Sequence, residues 1–419
     1  MNNRFEDAFK VQLGPKYLTE KELEYDNSAG VFLSPYEYSQ YLLYKEQLIE
    51  NKDKRIVRLP LKTFNHKYIY FSIGDELHSV VNSYLSLIQD DYSSNKLFIG
   101  DRLSTNIYKS RIYSEIEGSL NVENVPTTRR RLKELLEEDK TPECLNDIII
   151  KNMVKAIKYV ETAPSFNKEN LYHLYNLLSE GCLKDDDKLK VGEYYRYDTV
   201  EVGGYKGCPH SMIKECMDSL FSFVNEQLKE KKASSMMYLP HVCHYYILYI
   251  HPYFDYNGRT ARMVSYWIYL LGDKKYHPPI ISEAINQTKN NYYHAIELSR
   301  DAHNDISYFL LYLFSMSCDY ILCYQNLEYI EQLLKNKGEL LTETDSNYLK
   351  KIMVTYNGKF TYLDFLNNCK IEMTKQGALK LLNKYASYGI LQEVETPSKS
   401  KLFDLDKKMI KYRLKNIKL

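Results

Sequence analysis

The chain has 419 residues, more than one ordinary core uses and enough for two or three domains. Hydrophobic residues make up 44%, and 56 Lys+Arg against 55 Asp+Glu leave a net charge of +1. A disordered chain and a whole-protein polyanion binder are thereby excluded, while a local basic patch is not. The 41 Tyr, with frequent Lys, Asn and Ile, follow from an AT-rich coding bias and are not read as a stacking surface. The eight cysteines (Cys144, Cys182, Cys208, Cys216, Cys243, Cys318, Cys323 and Cys369) include no C-x-x-C pair, and most sit in apolar helical runs. They read as buried thiols of a reduced, cytoplasmic protein rather than a disulfide framework. The N-terminal MNNRFEDAFK has no signal-peptide character.

In chain order, residues 1–95 form a mixed α/β region. SPYEYSQYLLYKEQLIENKDK (34–54) has helical periodicity, and RIVRLPL and KYIYFSI read as strands. Residues 96–335 carry the pattern of a helical bundle. Its candidate helices are 100–117, 127–138, 142–162, 166–182, 210–230, 237–250, 258–271, 288–302 and 305–335. One stretch interrupts it: VGEYYRYDTVEVGGYKG (191–207) alternates β-branched and aromatic residues and ends on Gly-Gly, the signature of a hairpin. ISYFLLYLFSMSCDYILCY (306–324) contains Asp319 and lacks basic flanks, so it reads as a buried helix and no membrane contact is expected. From 340 to 419 the order is helix, short extended piece, two helices and a strand pair around TPSKS, with Gly389 closing the third helix. That order matches a small winged-helix domain. The fold class expected is therefore mainly α, with a β-hairpin projecting from a bundle and a winged helix at the C-terminus.

The most polar compact run is HPYFDYNGRTAR (251–262). A helix delivers His251, and Pro252 ends it. Asn257-Gly258 is a turn dipeptide, and GRTARMVSYWIYLLG then starts a new helix. A helix N-terminus preceded by glycine is an anion cradle. Arg259 and Arg262 share a face three residues apart and reach one phosphate chain. Asp255 is a hard oxygen ligand suited to Mg²⁺ on phosphates. His251 has an intrinsic pKa suited to a general base. Any one of these residues fits a plain corner between helices, whereas the whole set fits attack on a nucleotide phosphate.

HPYFDYNGRTAR resembles the motif H-P-F-x-[DE]-G-N-G-R-x-x-R of the Fic family. The following HPPII and NNYYHAIELS, and the hairpin GEYYRYDTVEVGG as the family's flap, extend the resemblance over roughly residues 100–320. It implies a Fic-type helical core that moves AMP from ATP to a protein Ser, Thr or Tyr hydroxyl, with Mg²⁺. His251 would be the base and Asp255 the metal ligand. Asn257, Gly258 and Arg259 would cradle phosphates, and Arg262 would reach the γ-phosphate. Val200, Glu201, Val202 and Gly203 of the flap would lie over the nucleotide, with a target protein, the chain itself among the candidates, adding as a strand there. Tyr292 would line the adenine pocket. A homodimer is compatible with the resemblance.

Tyr256 stands where the family has Gly. Three consequences are open: strain of roughly 1–3 kcal/mol if the position needs positive φ, crowding of the phosphates, or a phenol that donates to them. The segment S-E-I-E-G (114–118) resembles the family's inhibitory element [ST]-x-x-x-E-[GN], on a helix near 104–118. Glu117 would then pair with Arg262 and displace the γ-phosphate, although position 113 is Tyr and the nearest hydroxyl is Ser114. A plain helix C-cap at Gly118 is the alternative.

His241, Cys243 and His244 lack an acidic helper and read as core residues rather than a metal site. Cys208-Pro209-His210 reads as a loop. Lys375, Lys380, Lys384, Lys399, Lys401 and the basic tail KKMIKYRLKNIKL are placed where a winged helix contacts DNA, yet the third helix has no Arg to read bases. A second functional reading follows: a nucleotide-sensing regulator or docking protein with a weak Fic core, binding DNA or a protein through the winged helix.

Overall fold

The computed structural model describes residues 2–25, 33–93, 105–136, 138, 140–230, 233–272, 281–356, 358–369, 371, 373–394 and 401–406. It is mainly helical and divides into two compact units, Met1–Phe314 and Ser315–Leu419. The expected residues 100–104, HPPII up to Pro279 and Ile280, Lys399 and the 407–419 tail lie outside the described residues.

The first unit opens with α1 (Asn2–Gln12), α2 (Glu20–Tyr25) and α3 (Pro35–Glu50). A capping box starts α3, with Ser34 and Glu37 each bonding the other's backbone N–H. An antiparallel pair, β1 (Ile56–Lys62) and β2 (Tyr68–Ser72), and helix α4 (Asp75–Ser93) follow. The core helices are α5 (Thr105–Val122), α6 (Arg129–Leu136), α7 (Leu145–Thr162), α8 (Lys168–Ser179), α9 (His210–Glu230), α10 (Ala233–Ile250), α11 (Asn257–Leu271), α12 (Ile281–Gln287) and α13 (Lys289–Asp301). The long α14 (Ser307–Lys335) runs across the division between the units. The seven-residue α12 has no counterpart among the sequence expectations, being too short for a periodic signal.

The N-terminal region is a buttress for α10. Tyr246 donates to the Lys62 carbonyl at 2.7 Å, and Phe64 stacks on Tyr249 at 5.1 Å. A buried ion pair, Lys45 to Asp305 at 2.5 Å, ties α3 to the start of α14. It is fully provided for: Asp305 also accepts from Tyr17 and Ser307, and Lys45 lies over the Tyr70 ring. A buried pair survives only with such extra partners. No helix among the described residues is long and apolar enough to cross a membrane. The apolar run at 306–324 lies in α14, most of it buried.

The second unit holds α15 (Glu343–Thr355), β5 (Phe360–Thr361), α16 (Tyr362–Asn368), α17 (Lys375–Ser387), β6 (Leu391–Val394) and β7 (Leu402–Leu405). The strands form one antiparallel sheet of order β5-β7-β6, so the expected strand pair gains a third member from the extended piece before α16. Leu349, Ile352, Phe365, Leu382, Tyr385 and Phe403 pack into its core. Gly389 closes α17 at φ +75°, as expected. Two lysines expected to face a partner are spent inside the unit. Lys384 meets the Asp345 carboxylate at 2.8 Å, and Lys401 meets Glu393 at 2.9 Å.

Candidate active site

The corner between α10 and α11 is held from both sides. Tyr253 is fully buried and stacks on Tyr175, with ring centroids 3.8 Å apart. Asn257 accepts from the Tyr253 N–H at 3.0 Å and donates to the Tyr253 carbonyl at 2.8 Å. Its amide is thus committed to shaping the loop. Only its backbone N–H, at the start of α11, is suited to an anion.

His251 sits at the end of α10 in the left-handed region, φ 55°. Burial pushes its pKa down to about 4, against a smaller opposing effect of the nearby Leu248 backbone. The ring is therefore neutral at neutral pH and keeps a lone pair, the form a base needs.

The flap is the hairpin β3 (Glu201–Val202) and β4 (Tyr205–Lys206), turned by Gly203 and Gly204 at φ 55° and 81°. Two successive positive φ values make the tight hairpin turn that glycine pairs favour. Glu201, Val202 and Gly203 are exposed, and Val200 is half-buried at the hairpin root. That root is fastened to the His251 segment. The Cys208 N–H donates to the Ile250 carbonyl at 3.2 Å, and the Arg196 N–H donates to the Pro252 carbonyl at 2.9 Å. The buried Arg196 guanidinium donates to the carbonyls of His251 (2.7 Å), Asp198 and Cys208. Sequence reasoning gave Arg196 no role. Its position within the hairpin stretch GEYYRYDTVEVGG was the available signal.

Arg262 is 2% exposed, and its carboxylate partner is Glu123, at 2.8 Å. Arg262 also donates to the Ser119 hydroxyl and carbonyl at 3.2 Å. Burial raises the Glu123 pKa, but Arg262, with help from Arg259 and Lys289, outweighs it and holds the carboxyl below its ordinary range. The expected partner, Glu117, lies instead 3.9 Å from Arg129. The correction has a geometric cause. Six residues along a helix displace a side chain by about 9 Å and turn it well off the original face. The frame S-L-N-V-E-N, Ser119 to Asn124, satisfies [ST]-x-x-x-E-[GN] in full, and this was the signal missed. Asn124 takes φ 57° just past α5, which explains why the pattern ends on Gly or Asn.

Gly118 is not a C-cap, since α5 continues to Val122. A Cβ there would lie 2.5 Å from the Glu283 backbone nitrogen, so Gly118 lets α5 touch α12. Glu115 completes that contact by accepting from the Ser282 N–H at 3.1 Å and from its hydroxyl. Gly258 serves Glu123 in the same way, because a Cβ at 258 would stand 2.5 Å from the Glu123 carboxylate. The acid on α5 therefore reaches the first turn of α11.

Arg259 is also buried, at 6% exposure, but its Nε and Nη1 have no acceptor among the described residues. The nearest carboxylate, exposed Asp255, is 4.0 Å away. Tyr256 adopts φ 66°, ψ 6° at the N-cap of α11, so the position does require the left-handed conformation. For a non-glycine residue this costs roughly 1–2 kcal/mol. The ring is 3% exposed and turned beneath the Arg259 guanidinium, 3.4 Å from its centroid. Its hydroxyl meets the Cys182 thiol. Neither crowding of the cradle nor donation into it fits that orientation.

Tyr292 is 1% exposed and bonds His244 at 2.8 Å, with Arg262 alongside. So enclosed, it is not the wall of an adenine pocket. The neighbouring Tyr293, 42% exposed, is the ring that faces outward. His241 and His244 are fully buried, and burial holds both well below the ordinary imidazole range. No group of three potential metal ligands occurs among the described residues.

The corner between α10 and α11 thus brings together an imidazole, a carboxylate and two buried arginines. Residues 165–269 match the model of the Fic/DOC family. Members of that family commonly transfer AMP onto proteins. Among solved structures, the chain is similar to a Fic family protein from Desulfovibrio desulfuricans G20, at 15% identity and TM-score 0.50 over 80% of this chain and 98% of that one. It is also similar to a Fic domain containing signaling protein from Bacteroides thetaiotaomicron VPI-5482, at 18% identity and TM-score 0.45, covering 64% and 99% of the two chains. A third is Fic-1 from C. elegans, at 15% identity and TM-score 0.45, covering 70% and 77%. At these identities the likeness of the first speaks to the fold.

Proposed function

We propose that this protein transfers AMP from ATP to a hydroxyl of a protein and that Glu123 restrains it. The observation that carries the reading is the pair of buried arginines in the first two turns of α11, one with two N–H-bearing nitrogens lacking an acceptor among the described residues and one held by Glu123, beside a neutral His251. His251 takes the proton of the incoming hydroxyl. The hydroxyl oxygen bonds the α-phosphorus, and the bond from that phosphorus to the bridging oxygen breaks, releasing pyrophosphate. The orphan N–H groups of Arg259 and the backbone of Asn257 and Gly258 hold the phosphates. Arg262 takes the γ-phosphate once Glu123 leaves.

Exposed Asp255, next to those donors, suits Mg²⁺, which binds through one or two carboxylates plus substrate phosphates rather than a protein cage. The ion supplies neutralisation of phosphate charge when bound. Val200, Glu201, Val202 and Gly203 present an open strand edge to a target segment, and Tyr293 offers a face to the base. We read the second unit as a winged helix. Because Lys384 and Lys401 are committed to ion pairs, a protein fits it better than duplex DNA.

The test is incubation with α- and γ-labelled ATP and Mg²⁺. Label from the α position alone, stronger in Glu123→Gly and lost in Glu123→Gly/His251→Ala, supports the reading. Transfer of γ-label, or none in Glu123→Gly despite ATP binding, rejects it.

A further inference from the structure

We infer that Tyr256 is a positioning residue for Arg259: its ring is the platform that holds the guanidinium aimed into the phosphate cradle. The inference rests on the proposed nucleotide site and adds a part that glycine could not supply.

Three observations carry it. First, Tyr256 accepts a left-handed backbone that glycine would adopt freely, so the side chain must recover something. Second, the ring does not face the cradle. It is 3% exposed, lies 3.4 Å from the Arg259 guanidinium carbon, and has its hydroxyl beside the Cys182 thiol and the edge of that same guanidinium. Third, Arg259 is buried at 6% exposure with Nε and Nη1 unpaired and its nearest carboxylate 4.0 Å off. A buried guanidinium is ordinarily fixed by acceptors. Here the aromatic face does that work from one side, through attraction of the cation to the ring. The N–H groups stay unspent for an anion. Phosphate then binds a donor already in place, which lowers the ordering cost of binding.

The test uses the full chain with Glu123→Gly, which frees the cradle, as the parent. Leucine at 256 keeps bulk and backbone strain but has no π face, glycine removes both, and phenylalanine keeps the face. The Kd for MgATP by calorimetry is expected to weaken roughly tenfold in Tyr256→Leu and Tyr256→Gly, with Tyr256→Phe recovering most of that loss. Tyr256→Gly is expected to melt lower than its parent, because the loss of a buried ring outweighs the relief of backbone strain, so the comparison at matched stability is Tyr256→Leu against Tyr256→Phe. A merely structural ring would leave the Kd unchanged wherever melting is unchanged.

A second readout needs no nucleotide. The Arg259 Nε–H resonance is expected upfield in the parent, shifted by the ring current, and at an ordinary position in Tyr256→Leu. Binding with this ranking in a protein that transfers no label removes the AMP-transfer reading and leaves the platform standing. MgATP binding in Tyr256→Gly as tight as in its parent, or an ordinary Arg259 resonance in the parent, overturns the inference.

Discussion

Arg259 and Arg262 lie about one turn apart on α11, and their surroundings are opposite. Arg262 is held by the Glu123 carboxylate just past α5 and by the hydroxyl and carbonyl of Ser119 on α5. Arg259 has a ring beneath it and two donors with no acceptor among the described residues. In the proposed site, one arginine is thus occupied by the chain itself and the other keeps donors unspent. A site divided in this way can hold its geometry while being partly blocked, because the filled arginine supplies order and the empty one supplies readiness.

Acid should break the filled half most severely. His241, His244 and His251 stay neutral in the folded chain because burial depresses their pKa values, to about 3, well below the ordinary value, and about 4 respectively. Each would take up a proton in the unfolded chain below about pH 6.5. Stability is therefore full above that pH and falls as acid is added, by on the order of 1.4 kcal/mol per pH unit for each histidine. His244 reaches Arg262 through Tyr292, and Glu123, whose pKa is also depressed, loses its pairing as pH falls through its folded value. Thermal melts between pH 7 and pH 4 should show a steep decline, and a flat profile would contradict the buried neutral assignment.

Removing the acid is the next largest effect. Glu123→Gly should raise α-label transfer by roughly 5–150-fold, the range of a 1–3 kcal/mol coupling, as read by initial rates at fixed ATP. Gly118→Ala tests the docking rather than the acid. Its methyl meets α12 backbone, so it should cost about 1–3 kcal/mol in urea unfolding and raise transfer less than Glu123→Gly does. Glu117→Ala, beside Arg129 and 32% exposed, should change stability by about 0.5 kcal/mol or less and leave transfer unaltered. An equal gain from Glu117→Ala and Glu123→Gly would erase the distinction between the two acids.

What could be read along the chain was the chemistry whose parts are neighbours in sequence. Pro252 stops a helix, Asn257-Gly258 starts one, and the charges between them need no long-range contact to make sense. The long helices from α7 to α14 likewise declared themselves by periodicity. Contacts between distant segments did not. The acid on Arg262 depends on which of two glutamates six residues apart faces α11; the frame S-L-N-V-E-N carried that in the sequence, and the ion pair to Glu123 shows it in the fold. Tyr292 and Tyr293 are adjacent, yet one is enclosed by α10 and the other faces outward. Tyr256 could be recognised as an anomaly from sequence, but the direction of its ring is set by the neighbouring Arg259 and Cys182.

The fork of Arg196 has a consequence for what the protein can accept. One guanidinium spans the carbonyls of Asp198 and Cys208, at the two feet of the hairpin, and the carbonyl of His251. The hairpin cannot shift sideways without dragging the imidazole's own backbone with it. A guest strand laid along β3 would therefore meet the imidazole at a constant offset, whatever its sequence. Arg196 works as a jig: selectivity among hydroxyls would come from spacing along the guest's main chain, and little from the identity of the residues that carry them.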